Sequence, residues 1–464
     1  MPKKYHIETK ATPLDFDYVF KFKIARGENC INCGKCAKVC IYEAHKRRTD
    51  DPRIMAEPNT VVCRNCFRCI QECPRGALEK SLNKDFQNIG GSFWKPDMLL
   101  SLWKQAEDGK VPVSGAGYRG PFTGTGFDGM WTDMSEIVRP TRDGIHGREY
   151  ISTSVELGRK LNHLSFNGEK LVSKIPDLIS IPIPILFDIQ EQNLSPKIKG
   201  VLLKATEEVN TCAIMPADSI TQELEKHINN IIPLIKPSEI NKHENLLKKA
   251  RLVAIEYTGE EIKDIPALIK RIKAFNHALV IFRIPADKDA ESTSLRLVLN
   301  GAEIIHLVAD YRGEGIDTKN KRLLKNIIRS VHGNLVDEGI RDEVTIIASG
   351  GIGMAEHVAK SMLCGADLTA IDIPLLVALG VRIYENPKEL LLFPDKLEKI
   401  APSVLTQRIV NLIGAWHSQI LEMMGAMGIR EARRLRGESG RAIFFEEIDR
   451  DTFGKLFKKE AVKK

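Results

Sequence analysis

Eight of the ten cysteines fall in two runs near the N-terminus, Cys30, Cys33, Cys36 and Cys40, then Cys63, Cys66, Cys69 and Cys73. Each run reads C-x2-C-x2-C-x3-C, and Pro74 follows the second, which is the ligand spacing of a module that carries two [4Fe-4S] clusters. Three thiolates on one tight loop cap three corners of an iron-sulfur cube, and the fourth thiolate of each run reaches across to the other cube. Cys30, Cys33, Cys36 and Cys73 are therefore expected to hold one cluster, and Cys63, Cys66, Cys69 and Cys40 the other. The crossing ties the two loops together and keeps the cubes within electron-hopping range. Two zinc sites are the weaker reading, because zinc usually takes paired C-x2-C ligands separated by longer spacers. A disulfide framework is weaker still, since nothing points to an oxidising compartment. Ile41 stands where the motif usually has a proline, and the stretch from His45 to Pro58 is longer than a minimal module needs, so an inserted hairpin or loop is expected there.

With 464 residues, 43% hydrophobic and 28% charged, the chain can bury a large core beside such a module. We divide it into an N-terminal extension (1–25), a bacterial-type α+β ferredoxin domain (26–89), a connector (90–175), a main domain (176–400) and a C-terminal helical extension (401–464). The formal charge of +7 is spread along the sequence. It suits solubility or an acidic redox partner better than nucleic acid. Partners are expected to be a redox protein or other subunits of an electron-transfer complex, in a homo- or hetero-oligomer. The basic stretch His45-Lys46-Arg47-Arg48 reads as a solvated loop before a docking patch. No secretory signal is visible in the first residues, and the longest largely apolar run, Leu178 to Phe187, is interrupted by Ser180, Pro182 and Pro184 and is too short to span a bilayer. A cytoplasmic protein is expected. Cys212 and Cys364 read as ordinary buried thiols.

Gly90 to Gly129 is rich in glycine, carries Trp94 and Trp103, and shows little apolar periodicity, so it reads as a connecting segment. Gly115 to Gly126 is not a nucleotide loop, because no buried strand precedes it. Arg139 to Tyr150 is dense in groups that bind anions or interlock with neighbouring loops, and a structural clamp and a ligand contact both remain open for it.

From Ile179 onward, short β-branched runs alternate with amphipathic stretches, the pattern of βα units and a parallel sheet. The candidate strands are Ile179 to Phe187, Thr211 to Met215, Ile231 to Ile235, Leu252 to Tyr257, Ala278 to Ile284, Glu303 to Asp310, Val344 to Gly350 and Leu368 to Ile373. Eight of them predict a (β/α)8 TIM barrel, with a doubly wound sheet as the runner-up. Barrel sites lie at the carboxyl ends of the strands. There, Ala348-Ser349-Gly350-Gly351-Ile352-Gly353 ends a buried strand in glycines and opens a helix from Ala355 to Leu363. Backbone amides exposed in this way cradle phosphate, although a tight turn alone also explains the glycines.

The stretches Glu338 to Val344, Ser349 to Ile352, Gly365 to Asp367 and Leu375 to Gly380 resemble the flavin domain of glutamate synthase, and Glu422 to Arg430 resembles the helix that follows that domain. The resemblance runs from about Ile179 to Arg436. It implies an FMN-binding barrel that exchanges electrons with iron-sulfur clusters, and archaeal-type relatives also carry an N-terminal ferredoxin module. Under this resemblance Arg283 takes the place of the strand-five lysine and would stabilise a reduced, anionic flavin, Ser349, Gly350 and Gly351 would hold its phosphate, and Asp372 stands where strand eight meets the phosphate loop.

The sequence also departs from the family. It begins Met1-Pro2, with no glutaminase half and its nucleophilic cysteine, and Val381 to Phe393 lacks the cysteine triplet of the family's own cluster. Strand six leads into Asp310-Tyr311-Arg312-Gly313-Glu314-Gly315, strand two ends in Cys212-Ala213-Ile214-Met215-Pro216, and strand eight ends in Ala370-Ile371-Asp372 instead of glycines. Two readings therefore stand side by side. In one, the chain is a ferredoxin-linked flavin oxidoreductase, with reductive amination or transfer of a methylated amine as its chemistry. In the other, the barrel has lost FMN and catalysis and serves as an electron-transfer or scaffold subunit of a larger redox complex. No catalytic residue is identified; His146, His306 and His417 are acid-base candidates by residue type alone.

Overall fold

The computed structural model describes residues 5–12, 18–110, 124–134, 150–161, 163–173, 175–190, 194–257, 264–317, 321–385, 390–393 and 397–457. Eight parallel strands close into a barrel: Ile185–Asp188, Ala213–Pro216, Ile231–Ile235, Leu252–Glu256, Leu279–Pro285, Ile304–Val308, Thr345–Ser349 and Leu368–Ile371. Their apolar, β-branched residues are buried on both faces, as the two sides of a barrel wall require; every residue of Ile185–Asp188 and of Thr345–Ser349 is buried. The ring closes where Ile371 of the eighth strand pairs with Phe187 of the first.

The run from Ile179 to Phe187, read from the sequence as one strand, is two elements. Ile179–Ile181 pairs antiparallel with Val155–Leu157 outside the barrel, and only Ile185–Asp188 enters the ring. Pro182 and Pro184 between them have no N–H to give to a ladder, which breaks the strand at this point.

The connector also holds more order than its glycines suggest. Pro96–Asp108 is a helix of 13 residues that buries Met98, Leu99, Leu102, Trp103 and Ala106. Those positions recur at the spacing of one helix face; flanking glycines hid the pattern. This helix packs on the long helix Pro402–Ala426, which also covers Pro196–Glu208 of the barrel. Arg408, buried on the long helix, donates from Nη1 to the Tyr18 hydroxyl at 2.6 Å and from Nε to the Ala378 carbonyl at 2.6 Å, so the N-terminal segment and the last barrel helix share one anchor.

The cluster module is built on the antiparallel strands Phe22–Arg26 and Leu78–Leu82, with the short helices Lys35–Val39 and Arg68–Gln71 beside them. Its small core of Ile24, Cys36, Met55, Cys69 and Leu78 is separate from the large core of the barrel. The insertion after His45 is a hairpin: Arg48 N–H donates to Ile54 O at 2.9 Å and Ala56 N–H to Lys46 O at 2.9 Å. Among the described residues no helix is long and apolar enough to cross a membrane.

Candidate functional site

Each cysteine run places an asparagine two residues after its first cysteine, and Asn32 and Asn65 both take left-handed backbone angles, φ 55° and 54°. Asparagine tolerates that conformation, and its side chain then fixes the loop from within. Asn32 Oδ1 accepts Met55 N–H at 2.9 Å, while Asn65 accepts Phe22 N–H at 3.0 Å and donates to Phe22 O at 2.9 Å.

These loops bring the thiols together in two sets. Cys30, Cys33, Cys36 and Cys73 line one pocket together. Burial, and then the neighbouring Cys63, Cys66 and Cys40 sulfurs, push the Cys69 thiol up to about 11, so these three sulfurs lie around Cys69. Cys73 thus lies with the first run and Cys40 with the second. Backbone amides point at the sulfurs: Asn32 N–H to Cys30 at 3.4 Å, Ala44 N–H to Cys40 at 3.4 Å and Ala77 N–H to Cys73 at 3.3 Å. Burial alone would raise the Cys73 pKa, yet the amides around it hold the thiol below its ordinary value. Sulfurs grouped in fours and facing N–H donors fit thiolate-bound iron.

At the barrel mouth, Arg283 of the fifth strand donates from Nη1 to both carboxylate oxygens of Asp188, at 3.1 and 2.9 Å. Strands one and five stand opposite each other in the ring, so this ion pair spans the lumen. On the sixth strand, fully buried His306 shares a hydrogen bond of 2.9 Å between Nε2 and Ser349 Oγ. Its Nδ1 is buried with no partner among the described residues. Burial, helped by the Arg283 charge, holds the His306 pKa well below the usual histidine range, so the ring is neutral. Asp372 caps the helix Ile373–Ala378 by accepting Ile373 N–H at 2.6 Å. Burial and the Asp188 carboxylate lift its pKa to about 6, while the Ile373 amide acts the other way.

Gly350 and Gly351 have φ of 103° and 63°. A Cβ on Gly350 would lie 2.6 Å from Asp310 O, and one on Gly351 would lie 2.5 Å from Gly313 N, so only glycine lets the loop after strand six pack against the loop after strand seven. Among the described residues the buried amides of Gly350, Gly351 and Ile352 form no hydrogen bond. Buried N–H groups left open at the carboxyl end of a barrel strand fit an anionic ligand. The segment leading out of the cluster module reaches these same loops. Trp94 Nε1 donates to Tyr311 O at 3.0 Å, and Met98 and Trp94 crowd Gly353.

The remaining candidates fall elsewhere. His146 lies outside the described residues, as does most of the segment from Arg139 to Tyr150. His417 is buried on the long helix against Thr153 Oγ1 at 3.2 Å, and burial, with His6 nearby, lowers its pKa to about 4. Cys212 and Cys364 are buried, with thiol pKa values raised by burial to about 11 and about 12. Asp188, by contrast, is a site residue the sequence reading passed over. The available signal was its position, an acid that ends the apolar run Ile185-Leu186-Phe187.

Comparison with known proteins finds a conserved region of glutamate synthase at residues 255–430 and a 4Fe-4S dicluster domain at residues 23–87. The chain thus joins a region similar to glutamate synthase to a 4Fe-4S dicluster domain. It is 24% identical to the archaeal-type glutamate synthase [NADPH] of Dehalococcoides mccartyi over 90% of this chain and 94% of that one. It is 25% identical to the archaeal glutamate synthase [NADPH] of Archaeoglobus fulgidus over 92% and 95% of the two chains. A lactate oxidase structure from Pediococcus acidilactici overlays on 75% of this chain and 94% of its own, with a TM-score of 0.46 and 14% identity.

Proposed function

We propose that the protein is an iron-sulfur flavin oxidoreductase that passes electrons between two [4Fe-4S] clusters and an FMN at the barrel mouth, in ferredoxin-linked reductive amination. The observation that carries this reading is the contact of Trp94 and Met98, which follow the cluster module, with the loops after strands six and seven. That contact joins the cysteine-rich module to the end of the barrel where ligands bind.

In this reading each set of four cysteines holds one cube. Gly350, Gly351 and Ile352 give open amides to the flavin phosphate, with Ser349 beneath them. Arg283 offers a cation at the barrel mouth for a reduced flavin ring, and Asp188 fixes its guanidinium in place. His306, being neutral, can give or take a hydrogen bond at Nδ1 without bringing in charge. Asp372 tolerates an anion best in its protonated form. FMN supplies the crossover between paired and single electrons when bound.

Two features favour the alternative, a redox scaffold whose barrel has lost FMN: Asp188 already neutralises Arg283, and the Asp372 carboxylate occupies a helix amide at strand eight. One measurement separates the readings. Anaerobically purified protein is denatured and the supernatant assayed for FMN, alongside iron and sulfide. Stoichiometric FMN, with cluster bleaching by reduced ferredoxin, supports the oxidoreductase; clusters without flavin support the scaffold. Reduction by NADPH alone would transfer the donor named for the relatives and remove the ferredoxin link.

A further inference from the structure

The two cysteine sets sit in different electrostatic surroundings and at different depths. The strand Phe22–Arg26 runs away from the barrel: Tyr18 and Phe20, just before it, lie in the barrel's core, while Ile24 lies in the module's own core. Asn65, in the second cysteine run, grips the backbone of Phe22 at the barrel end of this strand. Its neighbour Arg64 donates to both carboxylate oxygens of Glu107, at 2.9 Å, on the helix that covers the barrel. The set of Cys63, Cys66, Cys69 and Cys40 is therefore the inner one. Arg26 ends the strand about 13 Å farther out, at roughly 3.3 Å per residue, beside the set of Cys30, Cys33, Cys36 and Cys73.

Arg26 points its guanidinium at that outer set. Nη1 lies 3.3 Å from Cys30 Sγ and 3.8 Å from Cys36 Sγ, and Nη2 lies 3.9 Å from Cys36 Sγ. The inserted hairpin holds the group there through Ala56 O, 3.0 Å from Nη2. On the inner set the side-chain donor to sulfur among the described residues is a neutral amide, Asn65 Nδ2, 3.6 Å from Cys63 Sγ. A cube with thiolate ligands is already anionic, and taking up one electron adds a negative charge while no ligand bond is broken. A fixed cation and N–H donors at the sulfurs stabilise that reduced form and raise the potential.

We infer that Arg26 makes the outer cluster the higher-potential one of the pair, so that a single electron supplied to the module rests there, at the end remote from the barrel. The hairpin from His45 to Pro58 then has a function, which is to seat the guanidinium. The inference rests on the dicluster domain and is independent of flavin.

The test is an anaerobic redox titration of the full, cluster-loaded chain, with reduced methyl viologen or dithionite as the one-electron donor and paramagnetic resonance as the readout. Iron and sulfide are assayed on the same samples. The wild-type protein is expected to show two separate waves. Arg26→Gln should move the upper wave to lower potential and leave the other in place, while Arg26→Lys keeps most of the separation because the charge remains. Coincident waves in the wild type would overturn the inference without any variant. So would an Arg26→Gln protein with full iron and unshifted potentials, which would make Arg26 a purely structural tie to Ala56. Protein lacking iron would instead count against the cluster assignment itself.

Discussion

His357 Nδ1 accepts the amide hydrogen of Gly353 at 3.1 Å, and on its other side Nε2 donates to Asp128 Oδ1 at 3.0 Å. Because Nδ1 accepts, the ring proton is on Nε2 and the Asp128 contact fixes that tautomer. The chain thus uses a buried histidine to hold the end of the glycine loop after strand seven. His357→Ala leaves the buried Asp128 carboxylate without its imidazole donor and frees Gly353, at a cost of about 2–4 kcal/mol. Urea unfolding should show the loss. FMN affinity should weaken as the loop loosens, while iron content is unchanged. A variant with wild-type stability would remove the support role.

The barrel strands were legible because a parallel barrel needs buried, β-branched runs at regular intervals, and Ile231 to Ile235 or Ile304 to Val308 fit no other role. The cysteines were legible because iron chemistry dictates their spacing. What joins the two was not. The Asp188–Arg283 pair exists only once strands one and five face each other across a closed ring, and no local pattern encodes that. Trp94 meets Tyr311 across a large span of sequence, and Pro96–Asp108 was hidden by the glycines around it. The residues that carry the resemblance at Glu338 to Val344 and Gly365 to Asp367 mark a structural clamp, since Arg341 and Asp367 bind each other at the far side of the strand-seven unit.

That clamp yields a stability expectation. Asp367 accepts Arg341 Nη2 at 2.8 Å, Ile346 N–H at 2.7 Å and Arg436 Nη1 at 3.2 Å. Burial would raise its pKa, but the two guanidinium groups and the amide outweigh it and hold the carboxyl below the usual range. A depressed pKa gives stability that is present above the unfolded value of 3.8 and is lost as pH falls through the lower folded value. Asp367→Ala strands a buried arginine and should cost about 3–5 kcal/mol at pH 7. Denaturation series at pH 7 and pH 3 should show the deficit narrowing only at the acid end.

Asp372 gives the opposite pH dependence. Its pKa, raised from 3.8 to about 6, means that the folded chain keeps a proton between those values that the unfolded chain has released. Stability therefore falls as pH rises through that window, and the penalty is complete above it. By linkage it is at most about 3 kcal/mol, less whatever the partial exposure of the group relieves. Asp372→Asn keeps an oxygen for the Ile373 amide and removes the charge. The variant, measured without added flavin, should melt higher than the wild type at pH 7.5 and match it near pH 4. Equal melting at both values would mean that Asp372 is charged at no cost.

Removal of iron should dissect the molecule at the boundary between its two cores. The module's buried cluster is Ile24, Met55 and Leu78 with two cysteines, Cys36 and Cys69, too little apolar surface to order the loops once the cubes that tie them are gone. The barrel keeps a continuous core of its own that includes Ile281, Ile305 and Ile347. After anaerobic chelation with a mild oxidant, amide exchange should become fast through Phe22–Arg26 and Leu78–Leu82 and stay slow in Leu279–Pro285, Ile304–Val308 and Thr345–Ser349. Loss of protection in both regions together would show that the clusters support the barrel as well, and that the two cores fold as one unit.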